Sequence, residues 1–107
     1  MNEKTPYSID KESVFACALY GNDLHAAFPY SSLSSVFVGS TEESKEAIFI
    51  RYGGGNVVIE GELLTPLFDG ICKGKCEFVR VAGEPGKPRV TAIHIDLTAP
   101  DEKKGDE

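Results

Sequence analysis

No run of apolar residues in this 107-residue chain approaches the ~18–20 that a membrane helix needs. No basic start leads into an apolar stretch either, so neither export nor membrane insertion is expected. Cysteine is scarce and odd in number. Cys17, Cys72 and Cys76 cannot make the paired framework of a small secreted domain, and a reducing cytoplasm suits them best. Positive charge is short as well: 17 acids against 11 Lys and Arg give a formal charge of −6. Such a chain has no general attraction for nucleic acid or an anionic membrane.

The constellations that carry chemistry are also missing. There is no nucleophile beside a base, no glycine loop ahead of a helix and no four-ligand metal set. No catalytic, cofactor-binding or metal-binding residues are assigned, and no cofactor is expected.

What is present is one domain. Apolar residues make up 41% of the chain, which is ordinary for a folded domain and too high for disorder. Residues 1–6 read as a flexible N-terminus, residues 7–97 as a single α+β domain, and residues 98–107 as a disordered, charged tail. A chain this short buries ~60–65% of its unfolded surface, enough for one modest core. Charge is unevenly spread, at −6 over residues 7–69 and +2 over residues 70–97.

Periodicity predicts an antiparallel meander of five to seven strands with one short helix packed on it. Residues 14–20 are apolar on both alternating faces and read as a buried strand, although their small residues also permit a helix. Gly21-Asn22-Asp23 signals a turn, residues 24–28 return as a second strand, and Pro29 stops it. Residues 30–35 read as a turn or a single helical turn, residues 36–39 as a third strand, and residues 40–46 as a charged loop.

The clearest hairpin is 47–52 with 57–62. Pairing Tyr52 with Val57 across Gly53-Gly54-Gly55-Asn56 sets Ile50 opposite Ile59 and Arg51 opposite Val58. Thr65-Pro66 then reads as an N-cap followed by proline at the first helical position. Leu63, Leu64, Leu67, Phe68, Ile71 and Cys72 lay one apolar stripe on a helix spanning about residues 65–74. Asp69 near its start and Lys73 and Lys75 near its end suit the dipole, and Gly74 is the stop. Residues 76–81 and 90–97 read as a last hairpin, with Val79, Val81, Thr91, Ile93, Ile95 and Leu97 inward. Phe78, Arg80, Ala92, His94 and Asp96 then face outward.

The run Val57-Val58-Ile59-Glu60-Gly61-Glu62-Leu63-Leu64-Thr65-Pro66-Leu67-Phe68-Asp69-Gly70-Ile71 resembles a pattern in small uncharacterised bacterial domains of unknown function. There a strand ends in glycine and leads through a Leu-rich helix to another strand. Pro29-Tyr30-Ser31 fits the same pattern. The resemblance implies a fold type and no site.

Three features invite a chemical reading. Cys72-x3-Cys76 could serve as a thiol-based redox or enzyme site, with Lys73 and Lys75 lowering a thiol pKa. As a zinc site it would have to recruit Cys17, His25 or His94. His94 and Asp96 share a strand face, with Arg80 diagonal across the expected hairpin, the start of an acid–base pair without a nucleophile. Lys73, Lys75, Arg80, Lys87 and Arg89 form a basic stretch that could hold a small ligand or nucleic acid, but only Phe78 interleaves it. Gly53-Gly54-Gly55-Asn56 precedes a strand, so it reads as a hairpin turn and not as a phosphate loop.

The expectation is therefore a non-catalytic module that binds a protein partner or itself. Outward Phe49, Val58 and Phe78, with the two-sided apolarity of residues 14–20, exceed what one short helix can cover.

Overall fold

A computed structural model describes residues 5–21 and 24–97. The expected turn at Asn22 and Asp23, most of the N-terminus and the whole charged tail lie outside the described residues. The chain runs β1 (Tyr7–Ile9), β2 (Ala16–Tyr20), β3 (His25–Pro29), β4 (Leu33–Gly39), β5 (Glu46–Tyr52), β6 (Gly55–Glu62), α1 (Thr65–Cys72), β7 (Cys76–Arg80) and β8 (Arg89–Leu97). A single 3-10 turn, Tyr30–Ser32, joins β3 to β4.

The α+β class holds, but the single meander does not. There are two four-stranded sheets, the first ordered β1-β7-β2-β3 and the second β4-β5-β6-β8. Their inner faces and the helix enclose one core. Cys17, Leu19, Phe28, Cys76 and Val79 come from the first sheet, and Ile48, Ile50, Tyr52, Val57, Ile59, Val90 and Ile93 from the second. Leu64, at the cap of α1, and Leu67 and Ile71 within it complete the core, each fully buried. Each aliphatic side chain so placed contributes about 1.5–3 kcal/mol relative to exposure.

The hairpin of β5 and β6 forms with its register two residues tighter than expected. Tyr52 pairs with Gly55, Ile50 with Val57 and Ile48 with Ile59, so the turn is Gly53-Gly54 alone. A two-residue loop suits the strand twist and adds another ladder pair. Because a strand repeats every two residues, this slip leaves the inward set unchanged. Arg51 consequently meets Asn56, its Nε donating to Oδ1 at 3.3 Å, and Phe49 meets Val58.

The last hairpin is absent. β7 lies between β1 and β2, antiparallel to the first and parallel to the second, while β8 pairs with β6. Only an Ala82–Val90 bridge links the two arms. The turn-rich segment 81–88 therefore crosses between sheets, and Val81 is exposed. A register shift between Glu60 and Gly61 of β6 leaves Thr91 unpaired and exposed, so Val90 takes the inward position expected of Thr91. Leu97 is exposed as well.

Helix α1 starts differently from the expectation. Thr65 is already helical, the cap position is Leu64, and no side chain of the cap itself is used. The carboxylate of Glu46, from the start of β5, accepts from the Leu63 amide at 3.1 Å and the Leu64 amide at 2.8 Å. It does from a distant strand what the glutamate of a capping box does locally. Leu63 is held at φ 55 with its side chain exposed, so it leaves the predicted stripe, as does exposed Cys72. Asp69 lies beyond the first turn and pairs with Lys73 at 3.2 Å. The stop is as expected: Gly74 has φ 71, and the Gly74 and Lys75 amides donate to the Ile71 and Gly70 carbonyls.

Candidate functional site

The outer face of the second sheet is built in three rows that cross all four strands. Pairing aligns Ser35, Arg51, Asn56 and Asp96 in one row and Phe37, Phe49, Val58 and His94 in the next. Gly39, Ala47, Glu60 and Ala92 form the third. These positions face out because their neighbours Ile48, Ile50, Val57 and Ile59 are committed to the core.

The middle row is apolar over three strands. The Phe37 and Phe49 rings stack with centroids 5.3 Å apart and planes 14° apart. Phe37 is 56% exposed, so this stack meets solvent and not the core. A hollow of about 190 Å³ opens beside it, lined by Phe37, Phe49, Arg51, Asn56 and Val58 among others. Arg51 and Asn56 edge it with polar groups. The third row is roofed by the connection from β4 to β5. There the Thr41 hydroxyl donates to Glu60 Oε2 at 2.9 Å and accepts from the Ser44 amide at 3.0 Å. The Ser44 hydroxyl reaches the Glu46 and Gly61 carbonyls at 2.9 and 3.2 Å. Beneath this roof Ala47 is fully buried and Glu60 is only 7% exposed.

His94 and Asp96 do share this face, as expected, but their neighbours differ. Arg80 belongs to the first sheet, where its Nε donates to the Thr5 carbonyl at 2.7 Å and its guanidinium lies 5.4 Å from the Phe78 ring centre. His94 instead approaches Glu60, Nε2 to Oε1 at 3.6 Å. Thr41 donates to the same carboxylate's other oxygen, so Glu60 lies between the two and ties the β4–β5 connection to the sheet.

The cysteines separate. Cys72 is exposed on α1, and Cys76 is buried in β7 beside Cys17. Burial and the charge of Asp69 push the Cys72 thiol up, opposite to the lowering that Lys73 and Lys75 would give. Hydrogen bonding to the Cys17 thiol, then burial, push Cys76 far up; its own thiol donates to the Phe78 carbonyl at 3.3 Å. Tyr30 closes this cluster, donating to the Cys76 carbonyl at 2.8 Å, and burial with the two nearby thiols drives its phenol up. Among the described residues no group of three or more His, Cys, Asp or Glu could hold a metal.

The basic stretch is divided too, with Arg80 on one sheet and Arg89 on the other, where Arg89 pairs with Glu62 at 3.4 Å. A cluster the sequence did not suggest lies on the first sheet's outer side. Tyr20 packs edge-on against His25 at 5.2 Å and Phe78 at 6.4 Å. The parallel pairing of β2 with β7, some sixty residues apart, brings it together, and no local pattern signals that pairing.

No family model matches the chain, and no match was found among curated proteins or solved structures. No helix among the described residues is long and apolar enough to cross a membrane.

Proposed function

We propose that this chain is a non-catalytic interaction module that docks a protein partner or a second copy through the outer face of its second sheet. The observation that carries this reading is the stacked Phe37–Phe49 pair, with Phe37 more than half exposed at the head of an apolar row. On one side it is bordered by the polar Arg51 row, and on the other by the row of Gly39, Ala47, Glu60 and Ala92, which the β4–β5 connection roofs. An apolar centre edged by polar groups is how protein interfaces are organised, and an exposed apolar row of this kind marks such a surface. The raised thiols weigh against a thiolate site at Cys72 or Cys76, and the divided basic residues weigh against a nucleic-acid groove. Three free thiols suit a reducing compartment such as the cytoplasm.

The test compares the wild-type chain with a Phe37→Ser/Phe49→Ser double variant in sedimentation and in capture of partners. The wild type is expected to associate, and the variant to stay folded and lose that association. A wild type that is strictly monomeric and captures nothing removes the proposal.

A further inference from the structure

Spacing along the chain couples Cys72 with Cys76, but the fold couples Cys17 with Cys76. β2 and β7 run parallel, and the paired Leu19 and Val79 both point into the core. Alternation along β2 makes Cys17 the next inward residue. On β7 the same rule would select Glu77. Pairing with β1 instead passes from Phe78 to Cys76, so Glu77 is the extra residue of a bulge and Cys76 turns inward in its place. Two cysteines thus hold adjacent inner positions on neighbouring strands, both fully buried, with their thiols hydrogen-bonded. Neighbouring strands lie ~4.8 Å apart, within the Cα separation of about 4.4–6.8 Å that a disulfide bridges. The Tyr30 hydroxyl, donating to the Cys76 carbonyl at 2.8 Å, fixes the backbone at the bulge. Cys72 faces solvent on α1 and stands outside this pair.

We propose that Cys17 and Cys76 are a modification site: a dithiol that a low-molecular-weight disulfide such as oxidised glutathione converts into an internal disulfide, clamping β2 to β7. The closed sheet keeps both sulfurs from the oxidant. Exchange therefore runs in the open chain, before the first sheet closes or when the molecule unfolds, where both thiols have ordinary acidity. One protein thiolate attacks the small disulfide, expels one small thiol and leaves a mixed disulfide on the protein. The second protein thiolate attacks the protein sulfur of that mixed disulfide and expels the other small thiol. Two protein thiols are oxidised, one small disulfide is reduced to two thiols, and the two protons lost by the protein end on them. The new bond joins segments some sixty residues apart across the parallel pairing, where no short connection holds the strands together. Cross-linking over so long a loop restricts the unfolded chain and favours the folded one.

The test refolds the full reduced chain in reduced and oxidised glutathione at ~1 mM each, blocks the remaining thiols by alkylation and maps the linkage by peptide mass. Expected is a Cys17–Cys76 link in most molecules, with Cys72 outside it. The oxidised chain should melt about 10 °C above the reduced one and exchange its β2 and β7 amides more slowly. Cys72→Ser should form the same link; it keeps both partners and changes an exposed position, so the result does not depend on a core variant that fails to fold. A refolded chain in which Cys17 and Cys76 are both alkylated, or hold glutathione, overturns the proposal. So does a link that includes Cys72, and so does a Cys17–Cys76 link that lowers the melting point.

Discussion

The two sheets enclose one core but are built on different terms. Strands of the second run to seven, seven, eight and nine residues, all antiparallel, with two of their three pairings sharing one outward apolar row. Strands of the first have three to five residues and include a parallel pair. The first is tied down by contacts outside its ladder. The Arg80 amide donates to the Pro6 carbonyl at 2.8 Å, and the Cys17–Cys76–Tyr30 cluster lies beneath it. In its aromatic cluster Arg80 lies over Phe78 and Tyr20 packs edge-on against His25 and Phe78, with Tyr20 43% exposed. The second sheet leaves its aromatics open. The lesson is that the longer, wholly antiparallel ladder is the one whose outer face carries an open aromatic stack.

The largest break in this comparison should come at the seam of the second sheet. A Cβ on Gly61 would lie 2.0 Å from the Arg89 carbonyl oxygen, so β6 and β8 cannot stay paired there. Gly61→Ala should cost about 3 kcal/mol or more in urea unfolding, and a loss under ~1 kcal/mol would mean the seam is softer than described. Next is the tie between this sheet and the helix. Glu46→Ala orphans the Leu63 and Leu64 amides and should cost about 1–2 kcal/mol, with Glu46→Gln costing less because one acceptor remains.

The first sheet is broken through pH instead. The Cys76 thiol is raised by the Cys17 hydrogen bond and burial, so the neutral form is the one the fold favours. Its contribution is fully present below the ordinary thiol pKa of ~8.5 and is lost as pH climbs above it. Thermal midpoints should therefore fall from pH ~8.5 upward, and Cys76→Ala should flatten that fall even though it lowers the midpoint at neutral pH. An identical alkaline slope in the variant would show that the thiol cluster is not what holds this sheet. At pH 7 Cys17 and Cys76 should resist alkylation until global unfolding, and Cys72 should react more slowly than a free thiol. The smallest effect is a gain: Leu63→Gly relieves φ 55 at an exposed side chain and should add about 0.5–1 kcal/mol.

What could be read in advance follows the distance between partners along the chain. β5 and β6 adjoin one another, and their inward residues were visible because a two-residue slip preserves faces. The helix stripe and its glycine stop were local and legible too. β6 with β8, and β7 with β1 and β2, join segments separated by other elements, and a Pro- and Gly-rich loop looks the same whether it closes a hairpin or crosses between sheets. The bulge at Thr91 and the capping by Glu46 are likewise tertiary, since each depends on a strand that local pattern does not place. In the candidate site, outward Phe49 and Val58 were foreseen. Phe37 was not singled out, although one signal was available: alternation from Val36 puts Phe37 on the same side of the sheet as Phe49.

The most direct test of the docking face is a dilution series followed by backbone amide resonances of the full chain. The account predicts that the shifts moving with concentration gather on β4 and β5 around Phe37 and Phe49. Movement confined to Tyr20, His25 and Phe78 on the first sheet would contradict it.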